Sequence, residues 1–276
     1  VPADIVTRVE SLRDAKASLR TLVGVENVST NKGRRTYKQR SQQTGFTKVG
    51  ESGKIPKMAS PQFSIVEYII SKFAGWLPVT NELMDDSDAN ITQSITEWIA
   101  DEARVTDNKN ILAIIKAKAA VAFTGLDDIK KALIVTLGSA FLPTSKIITN
   151  DDGLFWLSAL KDKNGRDLLT PIPTQPAMMQ LSVGARVVPV EVLPNDDFPS
   201  TGAKIPFVLG DLNEGIRLFD RKMLTVTSSD VAVAGTFNAF EQDMTLTRAI
   251  IREDVKLRDG AAFIYGEVDT AVPPKV

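Results

Sequence analysis

Asn31-Lys-Gly-Arg-Arg-Thr-Tyr-Lys-Gln-Arg-Ser-Gln-Gln-Thr-Gly-Phe-Thr-Lys-Val-Gly-Glu-Ser-Gly-Lys-Ile-Pro-Lys57 is followed within a few residues by Phe63-Ser-Ile-Val-Glu-Tyr-Ile-Ile-Ser-Lys-Phe-Ala-Gly-Trp-Leu-Pro-Val-Thr-Asn-Glu-Leu-Met-Asp-Asp-Ser87. The first stretch is polar and punctuated by glycine; the second is apolar. Lys32, Arg34, Arg35, Lys38, Arg40, Lys48, Lys54 and Lys57 stand against one acid, Glu51. That is a net +7 inside a chain of net charge −1, so the remainder carries −8. Tyr37, Phe46, Val49 and Ile55 are too sparse to build a core. Short alternating runs between turn residues fit a long two-stranded hairpin over 31–61. An isolated hairpin is marginal in water, so it needs a partner surface or stays mobile. Three uses fit the charge: phosphate contacts to nucleic acid, a solvated loop with no partner, or a strap across acidic surface on a neighbouring copy. Two aromatics are thin for a base-stacking platform. The −8 elsewhere makes the strap electrostatically sensible.

Working outward, the chain has 276 residues, 43% apolar and 24% charged, which suits one large or two small soluble domains. There is no cysteine and no histidine. Disulfides, thiol catalysis and thiolate metal sites are therefore excluded. So are the commonest general base and any Ser-His-Asp triad. Catalysis would need carboxylates, lysine or tyrosine alone, which argues against an enzyme. No apolar run approaches the ~18–20 residues of a membrane span. Asp4, Arg8, Glu10 and Arg13 interrupt any secretory signal, which fits cytoplasmic folding.

Along the chain, 1–23 reads as an arm with Ile5, Val9, Leu12, Leu19 and Leu22 near helical spacing. Gln62 to Lys72 reads as a strand. Asn90 to Lys116 reads as a long helix with an apolar stripe of Ile91, Ile95, Trp98, Ile99, Val105, Ile111, Leu112 and Ile115, and Asn90 with Gln93 as its capping box. Beyond it, helix signals over Asp127–Phe141 and Asp151–Lys161 alternate with strand signals at Lys146–Thr149, Val187–Leu193 and Pro206–Leu209. Gln175–Leu181 carries a weaker signal than the Asp151–Lys161 helix. Phe240 to Arg258 reads as one long strand, with Arg248, Arg252, Asp254, Lys256 and Arg258 on one parity and Ala249, Ile251, Val255 and Leu257 on the other. Ala261–Tyr265 reads as a short return strand. Trp76, Trp98 and Trp156 read as core or interface anchors.

Candidate chemistry is weak. Gly50-Glu-Ser-Gly-Lys54 has Lys48 where a phosphate loop needs glycine and Ile55 where it needs Ser or Thr, so no nucleotide site is expected. The clusters Asp85-Asp86-Ser87-Asp88 and Asp151-Asp152 could bind hard cations. Their place before predicted helices fits capping better. No catalytic residue, metal site or cofactor is assigned.

Phe73-Ala-Gly-Trp-Leu-Pro-Val-Thr-Asn-Glu-Leu-Met-Asp-Asp-Ser87 before the long helix resembles the start of the peripheral domain in tailed-phage major capsid proteins of the HK97-fold family. Asp162-Lys-Asn-Gly-Arg166 and Gly210-Asp-Leu-Asn-Glu-Gly-Ile-Arg-Leu-Phe-Asp-Arg221 resemble that family's axial-domain turn and late motif, and the order of elements matches along nearly the whole chain. The resemblance implies an α+β HK97-type capsid fold. Its parts would be an N-terminal arm (1–30), an extended β-hairpin loop (31–61), a peripheral domain with a long spine helix (62–123 with 236–260) and an axial domain (124–235 with 261–276). It implies a major capsid protein, not an enzyme. That protein would self-assemble through pentamers and hexamers into an icosahedral virion shell around double-stranded DNA, built in the host bacterial cytoplasm. Scaffold and portal proteins are further implied partners; a membrane is not. A start at Val1 fits either a sequence without its natural beginning or, as in many such proteins, loss of a leading segment to a protease. On this resemblance Lys32, Arg34, Arg35, Lys38, Arg40, Lys48, Lys54 and Lys57 are the inter-subunit contacts. An encapsulin-like compartment shell shares the fold, and a DNA-binding accessory module using the basic loop 31–57 is the alternative from another class.

Overall fold

The computed structural model describes residues 18–38, 45–57, 60, 62–82, 90–161, 164–184 and 186–270. The arm before Ser18, Arg40 and the Asp85–Asp88 cluster lie outside the described residues.

Two sheets share one long helix. The first sheet runs in the order β1 (Gly24–Asn27), β11 (Ile216–Ser229), β14 (Met244–Leu257), β4 (Ser71–Thr80). The second has seven strands, in the order β5 (Val121–Phe123), β15 (Phe263–Asp269), β10 (Lys204–Gly210), β6 (Lys146–Asn150), β9 (Arg186–Leu193), β8 (Gln175–Val183), β7 (Leu169–Ile172). Two ribbons stand apart: β2 (Lys32–Lys38) with β3 (Phe63–Ile69), and β12 (Val233–Ala234) with β13 (Phe237–Asn238).

The helix α1 (Asn90–Lys116) has the bounds its periodicity predicts. Its middle packs Ile99, Ala100 and Ala103 on Leu224, Val226 and Ile251 of the first sheet. Its last turns bury Ile111, Leu112 and Ile115 against Ile216 and Val255 of the first sheet, Val208 and Phe263 of the second, and Leu19 and Phe198 from outside the strands. One helix is therefore the common wall of two cores. The second sheet has its own core under α2 (Leu126–Lys131), α3 (Gly138–Phe141) and α4 (Asp151–Ser158).

Several expectations are corrected. Gln62–Lys72 is not one strand: the chain breaks at Ile70, whose N–H donates to the Asn31 carbonyl at 2.8 Å. β3 pairs back on β2, while β4 pairs on β14, so two ladders compete for one apolar run. The helix expected over Asp127–Phe141 widens into a π turn, Ala132–Thr136, and restarts at Gly138. Leu137 N–H reaches back to Ala132 O, and Gly138 at φ +67° takes a left-handed conformation open to glycine. The long late strand starts at Met244, after a turn in which Asp243 has φ 48°. Segment 216–229 pairs with β14 along its length, and the chain through 230–243 joins the two strands. Trp98 is 63% exposed and leaves the buried stripe, which turns instead toward Ala100 and Ala103.

Three crossings between the sheets meet at one junction. Gly210 sits at φ +130°, where an added Cβ would lie 2.7 Å from Phe263 Cα. Asp211 caps the short α5 (Leu212–Gly215) by accepting from Asn213 N at 2.9 Å and Glu214 N at 3.2 Å. Gly215 O then accepts from Arg258 N and Asp259 N. Lys118, just past α1, donates its Nζ to the carbonyls of Gly260 and Phe263. Burial pushes that ammonium below its usual range, with Asp259 pulling the other way. The glycine-aspartate motif thus serves a backbone crossing.

Candidate inter-subunit surface

The basic segment begins on β2, and its alternation decides which charges face out. Lys32 stands opposite Ile69, Arg34 opposite Glu67, Thr36 opposite Ile65 and Lys38 opposite Phe63. Directly opposed residues in an antiparallel pair share a face. All eight of these are exposed. The outer face of the ribbon therefore carries a basic row on β2 beside an apolar row on β3. Phe63, Ile65 and Ile69 are each about 60% exposed or more, at 59%, 60% and 64%. Glu67 interrupts this exposed apolar row between Ile65 and Ile69. The charge count had pointed to this face, but its apolar half is visible only once β3 is known to pair with β2.

The inner face is structural. Tyr68 stacks on Phe219 with ring centroids 4.4 Å apart, within a small core that also holds Val28 and Val66. Arg35 belongs to this side. It pairs with Glu26 and lies over the Tyr68 ring at 5.6 Å. The hydrogen bond to Glu26 raises the guanidinium's pKa above its ordinary value. Tyr37 donates to Glu26 Oε2 at 3.2 Å, and burial raises its hydroxyl pKa. Arg35 is thus placed to fix the root of the ribbon, unlike Lys32, Arg34 and Lys38.

Beyond the ribbon, 45–57 has no regular structure apart from a turn closed by Gly53 N–H to Gly50 O at 2.9 Å. Lys48, Lys54 and Lys57 are exposed there. Phe46 and Ile55, 91% and 84% exposed, project with them. The Gly50–Lys54 stretch has no helix after it, so nothing resembles a phosphate cradle.

A groove of about 590 Å³ opens between α1 and the β4 edge of the first sheet. Trp76, 45% exposed, and Trp98 are its rims, with Phe73, Leu77 and Ile99 inside. On the helix, Glu97 and Glu102 are exposed on either side of Trp98. The tip ribbon nearby leaves Val231, Val233 and Phe240 exposed, while Phe237 meets Trp76 edge-on at 5.4 Å. Of the expected anchors only Trp156 is core, edge-on to Phe207 at 5.7 Å. Asp151 and Asp152 are not the cap of α4. Asn150 is, accepting from Gly153 N at 2.9 Å. The two aspartates instead accept from Asn195 and Ser200, tying down the loop after β9. No cluster of metal-ligating side chains occurs among the described residues. No helix among them is long and apolar enough to cross a membrane.

The sequence matches the model of the phage capsid family over residues 1–268. No curated protein matches it. Among solved structures, a capsid protein of an empty GTA particle superposes with a TM-score of 0.67 at 19% identity, covering 92% of this chain and 90% of that one. A chain from Microbacterium phage Oxtober96 gives 0.70 at 16% identity, over 92% of each. One from Mycobacterium phage Bobi gives 0.66 at 16%, over 95% of this chain and 91% of the other.

Proposed function

The chain belongs to the phage capsid family, and from that membership we propose how it builds the virion shell: as pentamers and hexamers closing icosahedrally around double-stranded DNA. Family membership makes it a structural protein and favours the major capsid role over a DNA-binding module or an encapsulin-like compartment. The first sheet with α1 corresponds to the peripheral domain in this reading, and the seven-stranded sheet to the axial domain. Subunits assemble in the bacterial cytoplasm, with scaffold and portal proteins as further partners.

One observation carries the assembly reading: the extended loop presents basic and apolar side chains that its own subunit leaves uncovered. Lys48, Lys54 and Lys57 accompany Phe46 and Ile55. Lys32, Arg34 and Lys38 accompany Phe63, Ile65 and Ile69. The groove offers a complement in Trp76, Trp98 and Glu102, with Glu97 exposed beside it and Lys72 the one cation of its lining among the described residues. A loop from one copy over this groove on the next buries apolar area at roughly 25 cal/mol per Å² and matches opposite charges. Arg40 extends the basic set but lies outside the described residues. DNA contacts are non-specific in this reading, since phosphate contacts from Lys and Arg carry no sequence information.

Negative-stain imaging and sedimentation of the purified chain test this reading. Shells or capsomer-sized rings are expected. A stable monomer that binds DNA with a steep salt slope would sink it.

A further inference from the structure

The N-terminal arm meets the body at one buried charged cluster. Arg20 is largely buried, and its guanidinium reaches carboxylates on three elements. It donates to Asp220 Oδ2 on β11 at 2.5 Å and lies 3.6 Å from both Asp107 Oδ2 on α1 and Glu253 Oε2 on β14. Asp107 and Glu253 are fully buried, and Asp220 is 5% exposed. Glu253 stands opposite Asp220 in the β11–β14 ladder and accepts from Asn110 Nδ2 on α1 at 3.0 Å. The charged groups facing Glu253 are therefore Asp107 from the helix, Asp220 from the neighbouring strand and Arg20 from the arm. Beside Arg20, Leu19 is fully buried, and its N–H donates to Asn108 Oδ1 on α1 at 2.9 Å.

Three buried carboxyl groups on three elements crowd one another, and Arg20 is a guanidinium that reaches all three. We propose that the arm root is an electrostatic latch: Arg20 is the counter-charge that lets α1 seat on the β11–β14 pair, so displacing the arm root unseats the helix. The arm and the helix that walls both cores are thereby coupled. A pull on the arm is transmitted to α1 at Asp107, and a shift of α1 loosens the arm. The cluster's second counter-ion is a proton. Burial first, then the Asp107 charge, pushes the Glu253 carboxyl up to about 8, while Arg20 draws it down. Loss of Arg20 therefore shifts more of the neutralisation onto protons.

The latch exists in a single subunit, so it stands or falls independently of the assembly reading. In the full chain, Arg20→Gln should speed amide exchange across residues 104–112 about a hundredfold, the scale expected when a buried charge loses its partner. Amides of β7 and β8, which contribute no residue to the core under α1, should keep their wild-type rates. Adding Glu253→Gln should restore most of the protection lost above about pH 8, because it removes the charge that Glu253 takes on there without replacing the arm contact. The thermal midpoint of Arg20→Gln should also fall more steeply than the wild type between about pH 5 and about pH 8, since its folded state holds protons more tightly. A purely steric arm contact would show neither the rescue nor the steeper slope. Unchanged exchange in Arg20→Gln, or no rescue in the double variant, overturns the latch. Should Arg20→Gln fail to fold, the double variant decides alone: folded, it supports the latch, and unfolded, it overturns it.

Discussion

Arg34 and Glu67 face each other across the β2–β3 ribbon, Nε to Oε1 at 2.8 Å, with side chains 73% and 60% exposed. Such a pair sits in high dielectric and contributes about 0–1 kcal/mol. Arg34→Glu with Lys38→Glu should therefore leave thermal unfolding of the free subunit nearly unchanged. Particle yield should drop, and more at low salt than at high salt. Arg35 is best left intact in this experiment, because its Glu26 pairing supports the ribbon root. Normal yield at every ionic strength would remove the loop charge from the assembly mechanism.

Trp98 and Trp156 should behave as opposites. Trp98 is 63% exposed and Trp156 only 6%. In the free subunit, Trp98→Ala should cost under about 1 kcal/mol, as surface changes do, while Trp156→Ala should cost about 3–5 kcal/mol. In assembly assays the order should reverse among folded variants, with Trp98→Ala lowering shell yield. Chemical denaturation and particle counting of the same preparations check both halves.

Glu253 makes stability depend on pH in the direction opposite to an ordinary carboxylate. Its folded pKa is raised to about 8 by burial and by Asp107. The folded state then holds a proton that the unfolded state has released, so stability falls as pH rises from the usual carboxylate range, about 4.3, to about 8. Above that the loss is complete. Glu253→Gln should flatten this slope and leave the variant more stable than the wild type near pH 8–9. Melting curves across pH check it, and parallel profiles for the two proteins would refute the assignment.

Gly210→Ala should be costly despite its single methyl. The residue holds φ +130° against the backbone of Ala262 and Phe263. Strain at such a φ costs about 1–3 kcal/mol, and the collision is with main chain that the sheet junction holds in place. Gly165→Ala, at φ +78° but with open space around it, should cost less. Comparing the two variants by denaturation separates strain from collision.

Trypsin should cut the free subunit first at Lys48, Lys54 or Lys57, which are exposed and outside regular structure. Shells should protect the same sites. Equal resistance in both states would mean that the loop is covered by its own subunit.

Much of this molecule can be read locally. The 3.6-residue period and its flanking signals mark α1 at Asn90–Lys116, and the period-2 alternation marks most of β14. Loop charge is a simple count. These features depend on neighbours a few residues away, so the sequence alone determines them. It also determined the absence of thiol and imidazole chemistry.

What the tertiary structure decided depends on distant partners. The run through Ile70 divides because β2 and β14 each claim half of it: Ile69 pairs with Lys32, 37 residues away in the chain (69 − 32), and Lys72 with Arg252, 180 residues away (252 − 72). Trp98 turns outward because the sheet meets a different face of α1, something periodicity cannot assign when a stripe is wide. Glu253 shares the buried parity of Ile251 and Val255, a position no charged residue would take from hydropathy alone. It is tolerable there only because Arg20, Asp107, Asp220 and Asn110 arrive from other elements, and the free energy of a buried charge is set by what surrounds it in space.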